Sequence, residues 1–427
     1  MTRRILASLI FFSLICAAQS GNETAVSCGL TNNTSASPRF QGEGNGNARP
    51  VSVSKLPIRS LLYRGSNTRL YTRYMPWFGD PHHRDVGYRS DDPKEIALQV
   101  ADMISRGIQG AIVDWYGPDS GLRNQSTILL VKEAERQSGF EVAISEDPGS
   151  IRECEKSGCN PTGKLISDLA FAAQHFEDSP AYLRFEGRPA IFFFGLEAYP
   201  IDWQRVRQAL PLNPLLFFRN SGTFSNPNAD GAYAWIAPET AGPVDRMALQ
   251  YLDRFYSAAQ HSDKIAMGSA YKGFNDSDAS WGKGRVIDQQ CGHTWLATFA
   301  EAGRFYSAAH QLPALIIPTW NDYEEGTEIE TGIDNCVDVK ASINDEELSW
   351  SISGSEDTIE HYVILAQQES QWANVADVPT GSHSIKLRDL HLKAESRALC
   401  VEALGKASLL NHFSPAVGYS GAKSPAR

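Results

Sequence analysis

Between residues 68 and 333 one pattern recurs: a short apolar run, then in most cases a stretch with helical spacing. The runs fall at residues 70–75, 110–115, 141–145, 190–194, 215–219, 232–236, 264–269 and 314–319. Several are apolar at nearly every position. Strands covered on both faces by other layers must be so, because neither face meets water. The first intervening stretch places Ile96, Val100, Met103 and Ile104 on one helical face. Asp92 can cap it, Pro93 suits its first turn, Glu95 can close a capping box and Gly107 follows its end. Further helices are expected at roughly residues 126–137, 163–176, 244–262 and 294–311. Alternation through eight strands predicts an α/β fold, a (β/α)8 TIM barrel over residues 68–333. An open doubly wound sheet would carry a glycine-rich phosphate turn after its first strand. Met75-Pro76-Trp77-Phe78-Gly79 stands there instead and lacks that spacing.

The flanks read differently. Residues 337–420 break into short period-two segments divided by turn residues such as Ser353-Gly354-Ser355, the pattern of a small all-β sandwich domain. Residues 21–67 are rich in Asn, Gly, Ser and Thr. Gly42-Glu43-Gly44-Asn45-Gly46-Asn47 has almost nothing to bury, which predicts a flexible N-terminal linker. Residues 1–20 have the plan of a signal peptide: Arg3 and Arg4, an apolar centre, then Ala18-Gln19-Ser20. The apolar centre is short for a membrane span and no later run is long enough, so the mature chain is expected to be secreted or periplasmic. Without Cys16, six cysteines remain, an even number suited to disulfide bonds in an exported protein. Cys154 and Cys159 enclose a short loop and are the first pair expected; Cys336 and Cys400 could staple the sandwich. The net charge of −11 argues against nucleic acid as a partner. No cofactor motif is present. His82 and His83 lack an evident third ligand, so no metal is expected.

A barrel fixes where chemistry belongs: on the loops that follow the strands. Those positions hold Tyr74 and Trp77 after the first strand, Asp114, Trp115 and Tyr116 after the second, and Glu146 after the third. Trp235 and Glu239 follow the sixth and Tyr271 the seventh. Aromatic faces can stack on the C–H faces of sugars, while Asp and Asn exchange hydrogen bonds with hydroxyls. Such a cleft suits an oligo- or polysaccharide, a neutral polyol rather than a phosphate. After the eighth strand comes Thr319-Trp320-Asn321-Asp322-Tyr323-Glu324-Glu325-Gly326. Three carboxylates in four positions beside a tryptophan perturb one another, so one can stay protonated while another ionises. Hydrolysis of a glycosidic bond uses such a pair. Glu328 and Glu330, farther along, read as residues of a solvated turn.

The run from Trp320 to Glu330, with Tyr74-Met75-Pro76-Trp77-Phe78-Gly79, Asp114-Trp115-Tyr116, Tyr182-Leu183-Arg184 and Gly187-Arg188-Pro189, resembles glycoside hydrolase families 99 and 71. These are barrel enzymes acting on α-mannosides and α-1,3-glucans. The resemblance implies a glycosidase in which Glu325 is the general acid and Asp322 the partner carboxylate, with Trp320 and Asn321 among the substrate-binding residues. In family 99 the partner is a glutamate that deprotonates the sugar's own 2-hydroxyl to give a 1,2-anhydro intermediate. Asp322 is one methylene shorter, and Asn321-Asp322-Tyr323 is closer to the family 71 form. The C-terminal segment resembles a fibronectin type III module, with Trp350 and Tyr362 in its core places. Two alternatives remain open. One is a non-catalytic carbohydrate-binding or scaffold protein on the same fold. The other is a different exported hydrolase, although Gly-x-Ser-x-Gly and His-Glu-x-x-His motifs are missing.

Overall fold

The computed structural model describes residue 28 and residues 52–238, 247–369 and 371–419. The signal segment 1–20, most of the linker and Glu239 lie outside the described residues. Eight parallel strands form a closed barrel: β1 (Arg69–Tyr74), β2 (Gly110–Trp115), β3 (Glu141–Glu146), β4 (Arg188–Phe193), β5 (Leu215–Arg219), β6 (Gly231–Tyr233), β7 (Ile265–Ser269) and β8 (Ala314–Ile317). Each pairs with its neighbours in sequence, and Arg69 of β1 lies opposite Ala314 of β8. The ring is continuous through β3 and β4, where Ser145 faces Phe192. All eight apolar runs therefore became barrel strands, within a few residues of their expected ends.

The helices are α1 (Pro93–Ser105), α2 (Leu122–Ala134), α3 (Pro148–Lys156), α4 (Pro161–Ala172), α5 (Trp203–Ala209), α6 (Met247–Ala259) and α7 (His293–Ala302). Three begin with one device: an Asp or Asn cap followed by proline. Asp92 accepts from the Lys94 N–H, Asp147 from Gly149, and Asn160 from Thr162 and Gly163. The cap takes up orphan N–H groups, and proline loses nothing in a turn that has no partner for its nitrogen. The short helices α3 and α5 were not apparent from apolar periodicity. The helix expected to reach residue 311 stops at Ala302, before Gly303. Beyond it, Phe305 and Tyr306 pack on Tyr256 of α6 instead of extending α7. Only a 3₁₀ turn, Ser221–Ser225, lies between β5 and β6.

The linker expectation fails over residues 52–67. Ile58 is fully buried, its N–H donates to the Arg106 carbonyl, and Val53 forms a bridge with Leu410. Ile58, Leu61 and Leu62 supply apolar area that the Gly/Asn-rich stretch before them lacks, and that area is packed on the barrel.

After β8 the chain builds two antiparallel sheets. One joins β9 (Asp338–Asn344), β10 (Glu347–Ser353) and β13 (Ser384–Lys386). The other joins β11 (Ile359–Gln368), β12 (Gln371–Pro379), β14 (Ser396–Gly405), β15 (His412–Phe413) and β16 (Val417–Gly418). Their inner faces share a core of Leu348, Trp350, Tyr362, Ile364, Leu399 and Val401, with the Trp350 and Tyr362 rings edge-to-face at 5.3 Å. Each such side chain contributes roughly 1.5–3 kcal/mol by leaving water. The two parts interlock: Ala407 and Leu409 join the barrel's core, and Trp295 donates to the Ala407 carbonyl at 3.0 Å. Cys154 pairs with Cys159 as expected. Cys336 does not pair with Cys400; it bonds to Cys291, and Cys400 bonds to Cys28. Cys336 sits before the first sandwich strand, its Cα 5.3 Å from that of Cys291, within bridging reach.

Candidate active site

The turn after β8 is tied down at each residue. Trp320 N–H donates to the Arg73 carbonyl at 2.7 Å, which anchors it to β1. Asn321 brackets Met75, its Oδ1 accepting from the Met75 N–H at 2.8 Å and its Nδ2 donating to the Met75 carbonyl at 3.1 Å. Asp322 Oδ1 accepts from the N–H groups of Glu324 at 3.0 Å and Glu325 at 2.9 Å. The Asn275 N–H donates to the Glu325 carbonyl at 2.8 Å. Gly326 follows at φ 61°, a left-handed position that costs glycine little.

Glu325 projects from this turn into a cleft of about 460 Å³ that it lines with Phe194, Arg219, Trp235, Tyr251 and Arg285. Trp281, from the loop joining Phe274–Asn275 to Val286–Ile287, donates its Nε1–H to Glu325 Oε1 at 3.2 Å. Trp281 also stands edge-on to Trp77 at 6.2 Å and to His83 at 5.8 Å, while Trp77 and His83 stack at 4.5 Å. His83 Nδ1 lies 2.8 Å from Glu324 Oε2, and Arg123 Nη2 lies 3.0 Å from His83 Nε2. Arg73, almost fully buried, pairs with Asp114 at 2.6 Å and lies over the Phe194 and Trp235 rings at 4.8 and 4.9 Å.

Burial governs the electrostatics. It raises the Glu325 carboxyl, as do the charges of Asp276 and Asp114, against the Trp281 hydrogen bond and Arg285. Burial lifts Asp322 well above the usual carboxylate range, and the Glu325 charge adds to it. Asp114 is raised by burial in spite of Arg73, and Asp147 is raised by burial and then by Asp114. Burial thus shifts each of these carboxyls toward its protonated form, the direction a general acid requires.

The expected site residues divide into two groups. Glu325 and Trp235 line one cleft. Asp322 is 3 % exposed and is not among the residues that line this cleft, and one of its oxygens is engaged in the turn. Asp114 is within electrostatic reach of Glu325, Tyr116 hydrogen-bonds Asp114, and Trp77 meets Trp281. Asn321 is present as a bracket for the β1 loop. The second group is placed elsewhere. Tyr74 is buried with Glu95 of α1 among its neighbours, and Trp115 stacks on Phe171 and meets Phe176. Glu146 accepts from Ser150 of α3 at 2.7 Å beside Asp168 of α4. Tyr271 is buried near Tyr256 of α6 and Glu301 of α7, and Trp320 lies under Arg106, the residue that follows α1, at 4.9 Å. Successive strand residues point to opposite faces, so each of Tyr74, Trp115 and Glu146 meets helices while Arg73, Asp114 and Asp147 turn toward the mouth. Glu328 and Glu330 are not on a solvated turn. Glu328 pairs with buried Lys272 at 2.9 Å, and Glu330 accepts from the hydroxyls of Tyr88 and Tyr323.

Sequence reading missed Arg73, Arg219, Tyr251, Trp281 and Arg285. Arg73 left a signal, a charge within an otherwise uncharged buried run. Trp281 left only an indole in a polar loop.

Among solved structures the chain is similar to the GH99 endo-alpha-mannosidase from Bacteroides thetaiotaomicron. Identity is 19%, coverage 62% of this chain and 87% of that one, and the TM-score 0.49. A second structure of that enzyme gives 19% identity, 62% and 88% coverage and a TM-score of 0.48. SpGH29 gives 10% identity, 86% and 99% coverage and a TM-score of 0.29. No family model matches the chain, and no curated protein matches its sequence. Likenesses this distant assign no activity, which has to come from the site itself.

Proposed function

We propose that this protein is a secreted glycoside hydrolase acting on α-linked glycans, an α-mannan or α-glucan. Glu325 is its general acid and protonates the leaving glycosidic oxygen. The observation that carries this reading is Glu325 itself: a carboxyl raised by burial, aimed into an aromatic-walled cleft at the strand ends of a barrel, and fixed by Trp281. Asp322, three positions earlier in the same turn, is its partner carboxylate, and the Glu325 N–H that donates to its Oδ1 at 2.9 Å opposes the rise caused by burial. Trp77 and Trp235 contribute stacking faces, and Asp114 and Tyr116 a polar edge. Three disulfides fit an oxidising, extracytoplasmic setting.

One observation favours a second reading. Asp322 is buried, and a carboxylate spent on a turn does no chemistry. A carbohydrate-binding protein without turnover would look the same there. Reducing-sugar release from α-mannans and α-glucans, measured beside affinity for the same polymers, separates the two. Release that Glu325→Gln and Asp322→Asn each abolish supports the hydrolase. Binding with no release supports the second reading.

A further inference from the structure

Arg219 and Arg285 line the cleft and Arg73 lies over two of its rings, Phe194 and Trp235, and the three differ in how their charge is answered. Arg73 has Asp114 at 2.6 Å, both buried. Arg285 has Asp276 at 2.7 Å, itself fully buried. Among the described residues, Arg219, at the end of β5, has only Glu197 as an acidic partner, reached through Nη2 at 3.1 Å. The Glu197 side chain is 60% exposed, so water and salt screen that pair to little net worth. The Arg219 Nε–H, like that of Arg73, is buried without a partner among the described residues, so the two differ in their counter-ions and not in this group. Its guanidinium lies 4.5 Å from the centroid of the Phe194 ring, the same ring that Arg73 covers at 4.8 Å. Two cations thus share one aromatic ring, with a strong counter-ion for only one. Removing a charge from water without a matched anion is costly. A neutral polyol does not require this arrangement, since aromatic faces and hydroxyl partners suffice for it. The Arg219 side chain lines the cleft and keeps 26% exposure, so the end of its guanidinium can donate to a carboxylate or sulfate oxygen there.

We propose that Arg219 forms an anion subsite. It holds a carboxylate or sulfate carried by the sugar unit that stacks beside Trp235, so the glycan presented to Glu325 is an acidic one. This rests on the glycosidase reading and replaces the neutral sugar expected from sequence with a charged one.

The test is calorimetric binding by the full-length protein. The probes are glucose and mannose, their uronic acids, and their 6-sulfates. The acidic forms should bind about tenfold more tightly than the neutral ones, an advantage that shrinks as sodium chloride is raised. Arg219→Gln should collapse the ratio, Arg219→Lys should keep part of it, and Glu197→Gln, which removes the competing anion, should increase it two- to threefold or so. The tighter of uronate and 6-sulfate names the source of the negative charge. Equal binding of charged and neutral sugars, no binding of either, or a preference that survives Arg219→Gln overturns the subsite. Reducing-sugar release keeps the two readings apart. Loss of the charge preference with release still dependent on Glu325 leaves the glycosidase standing without the subsite. An Arg219-dependent preference with no release from any polymer, acidic or neutral, leaves the subsite standing without the glycosidase.

Discussion

The mouth of the barrel and the core of the C-terminal sandwich are both well packed, yet they are built from different material. Around the mouth Arg73, Asp114, Asp147, Lys272, Asp276, Asp322 and Glu328 are all buried. Among the described sandwich residues every charged side chain keeps some exposure. Glu402 comes nearest to burial there, its pKa lifted to about 6. A sandwich core of Trp350, Tyr362 and Val401 gains free energy from every contact. The mouth gives some of that back, because desolvated carboxyls are held where they resist ionising. The sandwich core thus adds stability, while the candidate site at the mouth holds buried charge at some cost to it.

The largest expected effect tests the mouth. Glu325→Gln should lower kcat on an α-linked polymer by about 10²–10⁴-fold, as loss of a general acid does. It should also raise stability. The Glu325 carboxyl is raised in the folded state, so the folded protein binds the proton more tightly than the unfolded chain. Its contribution is favourable at acid pH and is lost as pH climbs from about 4 toward neutrality. The Tm advantage of Glu325→Gln over wild type should therefore grow from acid to neutral pH in thermal melts. A variant that is inactive and less stable at pH 7 would break the contrast between the two regions.

The sandwich should answer in the opposite way. Trp350→Ala should cost about 3–5 kcal/mol in denaturant unfolding by leaving a cavity between the sheets. Protein that remains folded should turn over at close to the wild-type rate. A large fall in kcat in folded protein would tie the module to the site.

Asn321→Ala comes next and sits between the two behaviours. It strips two partners from buried Met75 backbone groups, at roughly 1–3 kcal/mol. It also frees the loop that carries Trp77, so kcat should fall as well. Unchanged kinetics would show that the bracket only stabilises.

The smallest effect lies away from the mouth. Burial raises the Glu177 carboxyl to about 7, with Arg184 opposing. As a raised acid it takes stability away as pH rises from its ordinary value toward 7. Glu177→Gln should flatten the stability profile in that window without changing activity. A profile as steep as before would assign the slope to other raised carboxyls, those of the mouth and Glu402.

Much of the architecture was written along the chain. The apolar runs determine eight strands because only buried strands tolerate such sequences, and Asp92-Pro93 marks a helix start through local chemistry alone. The Asp322–Glu325 cluster could be read as a candidate site because its spacing is set within one turn. Other decisions needed the closed ring. Whether Asp114 or Trp115 meets the cleft depends on which face of β2 turns inward, and periodicity in an all-buried strand carries no such mark. Cys336 finds Cys291, and Glu330 finds Tyr88, across long stretches of chain. Arg219 shows the same limit: its charge is plain in the sequence, but only packing beside Phe194 and an exposed Glu197 leaves that charge so weakly answered. Local pattern determines what a segment becomes; the partners of its side chains are decided by contacts between segments far apart in sequence, because burial and electrostatics act through space.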